Sequence, residues 1–205
     1  MTGNLWKKLI QCFYSKQTSL IESEERYNKS KSSITKYPFK YNKQFEGIIY
    51  HLLEKNKDIQ ISASSVFDEL YKPENSINFD NKQSAFYSLN ISDSFLCLDF
   101  KNIKVKPSHY SIRSNNWGDE NWYHLQNWVI ECSNDEVEWR IIDSHQKDKS
   151  LNSRSASKTF EIQEKLNEND FYRYIRIRQT GINTSGNYEL IISAIEFFGS
   201  ITDLF

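Results

Sequence analysis

Residues 115–126, NNWGDENWYHLQ, place Trp117, Trp122 and Tyr123 among Asn115, Asn116, Asp119, Asn121 and His124. Ring faces stack on the apolar side of a sugar, while amides and an imidazole bond its hydroxyls. The same set suits a peptide groove. The plainer alternative is that one Trp plugs the end of the fold and the rest is solvated. Two arginines end apolar runs that lead into polar loops. In HYSIRS (109–114), His109, Ser111 and Arg113 alternate against Tyr110 and Ile112; in YRYIRIR (172–178), Tyr174, Arg176 and Arg178 alternate against Ile175 and Ile177. A guanidinium offers a two-pronged donor to a carboxylate or a pair of hydroxyls, or else forms an internal salt bridge that orders the loops. After Arg178 comes a loop with Thr180, Asn183, Thr184, Ser185 and Asn187. Asn183 and Asn187 are candidates for ligand contact, although Asn and Gly also serve tight turns.

Catalysis finds little support. His51, His109, His124 and His145 are scattered, and no HExxH, GxSxG or phosphate-loop spacing occurs. A Cys132–His124 dyad is left open, but Cys132 lies in the apolar run NWVIECS, where thiols are inert. No enzyme is expected. The three cysteines are odd in number and widely spaced, which speaks against a disulfide framework or a zinc site. Free thiols point to a reducing compartment, so the expected location is cytoplasmic. Net charge is −1, with lysines interspersed among acids, so nucleic acid is not an expected partner. No run reaches the roughly 18 apolar residues of a membrane span, and Lys7, Lys8 and Gln11 interrupt any signal-peptide core.

The elements that would position these groups are mostly strands. Hydrophobic residues make up only 38%, but aromatics reach 15%, and large rings supply buried area. Short apolar runs with polar breaks cover 59–64, 95–100, 109–114, 127–133, 138–143, 157–162, 172–178 and 190–199. Eight such runs without intervening helices predict a β-sandwich or barrel. Phe45, Ile48, Ile49, Leu52 and Leu53 follow helical spacing, so FEGIIYHLLEK predicts a short amphipathic helix, with Gly47 weakening its first turn. Residues 1–14 place Leu5, Trp6, Leu9, Ile10 and Phe13 on one side of a helix, and 15–36 read as a polar linker or helix. The predicted organisation is therefore an N-terminal helix and linker over 1–36 and a β-domain over 37–205. The connections 66–94 and 115–126 are long and irregular, as functional loops often are.

Taken in order, SASS, PENSINFDNKQSAFYS, FLCLDF, HYSIRS, WVIECSNDEVEWRIID, FYRYIRIRQTG and AIEFFG resemble the discoidin, or coagulation-factor type C, domain of the galactose-binding-like superfamily. The likeness is nearest to an intracellular protist branch, often found beside BTB-type domains. The resemblance implies an all-β fold, an eight-stranded jelly-roll sandwich. It implies a non-catalytic module that meets a glycan or a protein segment with the loops at one end, here Ser65–Lys72, Ser114–Gln126 and Thr180–Asn187. Its expected ligand residues are Phe67 as an exposed apolar wedge, Arg113, Trp117, His124, Arg178, Thr180, Asn183 and Asn187. Many superfamily relatives hold a structural calcium; the matching positions are Asn78, Asp80 and Glu196. Asn78 stands where an acid is expected, which leaves the set short of the charge calcium favours. A second implied role is that of a scaffold or substrate adaptor for ubiquitin ligation, since a related jelly roll recruits substrates to the anaphase-promoting complex.

Overall fold

Strict alternation along YRYIRIR buries Ile175 and Ile177 and leaves Arg176 and Arg178 partly exposed on the opposite face. This pattern, repeated from strand to strand, builds the molecule. The computed structural model describes residues 34–203; the helix expected over 1–14 and Cys12 lie outside them.

The strands are β1 (Ile34–Tyr37), β2 (Gln60–Ala63), β3 (Phe86–Tyr87), β4 (Phe95–Asp99), β5 (Ile103–Arg113), β6 (Trp128–Ser133), β7 (Arg140–His145), β8 (Ser157–Glu161), β9 (Tyr174–Gln179), β10 (Ile191–Ile192) and β11 (Ala194–Asp203). A four-stranded sheet has the order β1-β11-β5-β8, a five-stranded sheet the order β2-β4-β9-β6-β7, and β10 pairs with β3. All these pairings are antiparallel. The two large sheets enclose a core of Tyr110, Ile112, Phe160, Ile195 and Phe197 from one side and Leu96, Leu98, Trp128, Ile130, Ile175 and Ile177 from the other. The sandwich is the expected fold class.

Two strands depart from expectation. β1 pairs with β11 from Ile34↔Thr202 to Tyr37↔Gly199, so the sheet begins upstream of the expected boundary at 36/37. β5 starts at Ile103, six residues early, and continues through Pro107 because the register shifts opposite it, between Phe198 and Gly199. A bulge tolerates proline, which cannot donate to the ladder. Gly199 has φ +144°, and a Cβ there would sit 2.2 Å from the Lys106 carbonyl, so only glycine fits.

Helix α1 (Ile48–Glu54) is present where predicted and buries Ile48, Ile49 and Leu52. Between β2 and β3 the chain makes two 3₁₀ turns, Glu69–Tyr71 and Pro73–Ile77. The Asp68 carboxylate accepts the Leu70 N–H at 2.7 Å and starts the first.

Candidate functional site at the loop end of the sandwich

The three loops expected to carry recognition converge. Tyr71 packs edge-on against Trp117 with centroids 5.5 Å apart, joining 65–72 to 114–126. The Tyr123 N–H donates to Ser185 Oγ at 2.7 Å, and the His124 N–H to Thr184 Oγ1 at 2.9 Å, joining 114–126 to 180–187. A fourth segment, 87–94, was not anticipated. The Leu89 N–H donates to Ser65 Oγ at 3.1 Å, and the Tyr188 N–H to Asn90 Oδ1 at 2.8 Å. The only sequence signal for it was the length of the 66–94 connection.

At this end four rings form one cluster. Phe67 stacks on Tyr87 at 4.7 Å; Tyr71 meets Tyr87 at 5.7 Å, and Trp117 lies 5.8 Å from Tyr87. Phe67 is exposed, and Trp117 is half-buried against its neighbours. On the same stitched segments Leu70 is 76% exposed, Trp122 56% and Ile91 51%. Large apolar groups left in water on connected loops mark an interaction surface. Burial, reinforced by the Glu189 charge, pushes the Tyr87 phenol far above its ordinary value, so it stays a neutral donor.

The polar residues expected to meet ligand are placed differently. His124 is fully buried: its Nε2 lies 3.0 Å from the Asp119 carbonyl, and its carbonyl accepts the Thr184 N–H. Burial lowers its pKa, so it is a neutral strut rather than a surface contact. Asn183 is buried too. Its Oδ1 accepts the N–H groups of Ser185 and Asn187, and its Nδ2 donates to the Glu189 carbonyl. It builds the turn, and Asn187 closes it by accepting the Asn183 N–H at 2.7 Å. Asn183 and His124, expected to meet ligand, thus sit inside the loops and shape them. Thr180 is exposed next to the site.

Arg178 is committed to carboxylates. It reaches Glu131 at 2.8 Å and Asp93 at 2.6 Å, while Arg176 reaches the same Glu131 at 2.6 Å and lies 3.8 Å over Trp139. The Arg178 side chain orders the outer face of the five-stranded sheet, with its positive charge already neutralised. Arg113 lies away from the ring cluster, under Phe79, whose carbonyl accepts from both terminal nitrogens at 3.3 Å.

Glu196, one of the three expected calcium positions, is turned to backbone donors. The Glu196 carboxylate is buried and accepts the backbone N–H of Gly47 (3.0 Å), Ile49 (2.8 Å), Tyr50 (2.9 Å) and Phe197 (2.7 Å). Asn78 Oδ1 accepts the Asn81 N–H, and Asp80 is exposed. Among the described residues no group of three His, Cys, Asp or Glu is arranged to hold a metal ion. The open first turn of α1 supplies three of the four donors to this carboxylate.

A second polar cluster ties the sheets together. The Tyr110 hydroxyl donates to Asp143 at 2.6 Å and accepts the Trp128 indole N–H at 2.9 Å; His145 bridges Asp143 and Asp148, each at 2.9 Å. Trp128 stacks on His145 at 4.3 Å and Phe160 closes the other side. Cys132 sits in the core with its thiol pushed up by burial, so a Cys132–His124 dyad has no accessible thiol.

No family model matches the sequence. Solved structures match the fold. The CpGH89CBM32-5 module of Clostridium perfringens, in complex with GalNAc-β-1,3-galactose, superposes with a TM-score of 0.52 at 9% identity, covering 68% of this chain and 94% of that one. The family 32 module of Clostridium perfringens NanJ, in complex with galactose, gives 0.51 at 12% identity over 70% and 93%. The family 32 module of AlyQ, in complex with 4,5-unsaturated mannuronic acid, gives 0.51 at 21% identity over 69% and 95%. What these modules share with this chain is the antiparallel β-sandwich fold. In sequence, the chain is 28% identical over 150 residues to the E3 ubiquitin-protein ligase hecd-1 of Caenorhabditis elegans, covering 72% of this chain and 5% of that protein. It is 31% identical over 101 residues to the E3 ubiquitin-protein ligase Ufd4 of Drosophila melanogaster, covering 48% and 4%. The chain thus spans about one-twentieth of the length of these relatives. Among its described residues no helix is long and apolar enough to cross a membrane.

Proposed function

We propose that this discoidin-type sandwich is a recognition module that grips a protein segment with its loop end. The observation that carries this reading is the Phe67–Tyr71–Tyr87–Trp117 ring cluster, surrounded by exposed Leu70, Leu89 and Ile91. Aromatic anchors with an apolar surround are what protein interfaces use. Sugar binding needs several convergent free donors and acceptors, and here the side chains of His124, Asn183 and Arg178 are occupied internally. The likeness to short stretches of two E3 ubiquitin-protein ligases supports a scaffold or substrate-adaptor role within a larger ligase.

Glycan recognition is the second reading. It is favoured by the fold shared with carbohydrate-binding modules solved with sugars, and by exposed Trp122 as a stacking platform. A peptide-display screen and a glycan array, run in parallel on wild type and Trp117→Ala, separate the two. Peptide ligands that Trp117→Ala loses support the proposal. Glycan ligands alone select the second reading, and ligands indifferent to Trp117→Ala overturn the loop-end assignment.

A further inference from the structure

Arg113 breaks a rule that every other described arginine obeys. Arg140, Arg154, Arg173, Arg176 and Arg178 each have a carboxylate within 4.0 Å. Arg113 is only 4% exposed and has none among the described residues. Its five N–H donors find a single acceptor atom, the Phe79 carbonyl oxygen, at 3.3 Å, and its Nε is buried without a partner. The guanidinium lies 5.0 Å over the Phe45 ring, which contributes attraction but accepts no hydrogen bond. A buried charge left unpaired is costly, and proteins normally neutralise it. Burial duly lowers the Arg113 pKa from its ordinary value.

Arg113 lines an open cleft. A cleft of about 580 Å³ is lined by Arg113, Lys82, Phe45, Phe79, Ser155 and Ser157. The loop-end rings are not among its lining, so it is a second site. We propose that this cleft binds a carboxylate group. The planar fork of the guanidinium matches two carboxylate oxygens, exposed Lys82 adds positive charge to the lining, and the two serines supply hydroxyl donors. Glu46 and Asp80 line the same cleft, with Glu46 paired to Lys43. Their negative charge opposes a phosphate dianion more strongly than a single carboxylate. The carboxylate can be presented by an acidic peptide side chain or by a uronic acid, and the two are separated by titration.

Two-dimensional NMR of the 205-residue chain is recorded against acetyl-Gly-Glu-Gly-amide and glucuronate, each matched with a neutral counterpart, acetyl-Gly-Gln-Gly-amide and glucose. The Arg113 Nε–H and the backbone amides of Phe79 and Ser157 shift with carboxylate probes and stay still with neutral ones. A response to only one acid supports the site and identifies its source. Because Arg113→Gln removes a buried side chain and can unfold the protein, two exposed positions complete the test. Lys82→Ala weakens binding about threefold, and Asp80→Asn, which removes a competing charge, tightens it about threefold. Absence of shifts at millimolar probe, equal shifts with neutral probes, or affinities unmoved by both surface variants each overturns the proposal.

Discussion

The Glu196 carboxylate accepts the Ile49 backbone N–H at 2.8 Å across 147 residues of sequence. With the N–H groups of Gly47 and Tyr50 it turns the first turn of α1 into a clamp on the last strand. A position that the family pattern reads as a metal ligand is satisfied here by peptide dipoles, so this sandwich holds its N-terminal segment by the chemistry of a helix end.

The clamp depends on Gly47. A Cβ at that position would lie 2.3 Å from the Phe197 carbonyl oxygen and 2.9 Å from the Glu196 side chain. The obstruction is backbone, which cannot swing aside. Gly47→Ala is therefore expected to cost about 1–3 kcal/mol, despite the better helix propensity of alanine. Urea unfolding monitored by tryptophan fluorescence measures it. An unchanged midpoint refutes the clamp.

Stability is expected to fall as pH rises from about 5 to about 8. Burial pushes Glu196 up from 4.5 to about 7, the four amide donors restraining the rise. At His145 burial acts downward, but hydrogen bonds and charge from Asp143 and Asp148 outweigh it and raise the pKa above 6.5. Both groups hold a proton more tightly folded than unfolded. The Glu196 contribution is complete below 4.5 and lost as pH rises through about 7; the His145 contribution is complete below 6.5 and lost above it. Asp99, lowered to about 2 by the Arg173 and Lys101 contacts that outweigh its burial, acts in the opposite sense only at acid pH. The expected fall is on the order of 2–3 kcal/mol. Glu196→Gln should flatten its lower part and His145→Gln its upper part. Denaturant titrations at stepped pH would refute this if stability rose across the range.

The sandwich was legible because its signal is local. Alternation in YRYIRIR and NWVIECS reports burial residue by residue, and helical spacing in IIYHLL located α1. β1 escaped because Ile34–Tyr37 is exposed or half-exposed, so its four residues carry no alternation; only pairing with β11 makes them a strand. The loop end was legible as a place and not as a residue list. Convergence of the three loops follows from strand order, and it brings exposed Phe67 and half-buried Trp117 to one end. The partners of His124, Asn183 and Arg178 come from 60, 6 and 47 residues away, and loop composition alone could not tell an internal partner from a ligand.

Cys97 and Cys132 are expected to resist modification in the folded protein. Both are buried, and burial is the leading cause that pushes Cys97 up to about 12 and Cys132 higher still. At neutral pH almost no thiolate forms to react. Intact-mass analysis after iodoacetamide should leave both unlabelled in native buffer and label both in denaturant. Native labelling of Cys132 would mean that the core opens far more often than its packing implies.

Trp117 and Arg178 should separate binding from folding. Trp117 contributes a half-exposed ring to the loop-end cluster, so Trp117→Ala is expected to weaken a loop-end ligand more than tenfold, about 2 kcal/mol. Arg178→Ala removes a charge shared between Glu131 and Asp93 and leaves the buried Glu131 with Arg176 alone. It is expected to cost about 1–3 kcal/mol of stability, since losing one member of a buried ion-pair group exposes the imbalance of the rest. Ligand affinity of the folded Arg178→Ala protein should stay within about twofold of wild type, the range of an exposed charge effect. Calorimetry of both variants at a temperature where each is folded decides the matter. A large affinity loss in Arg178→Ala with stability intact would return Arg178 to the ligand and move the binding surface onto the outer face of the five-stranded sheet.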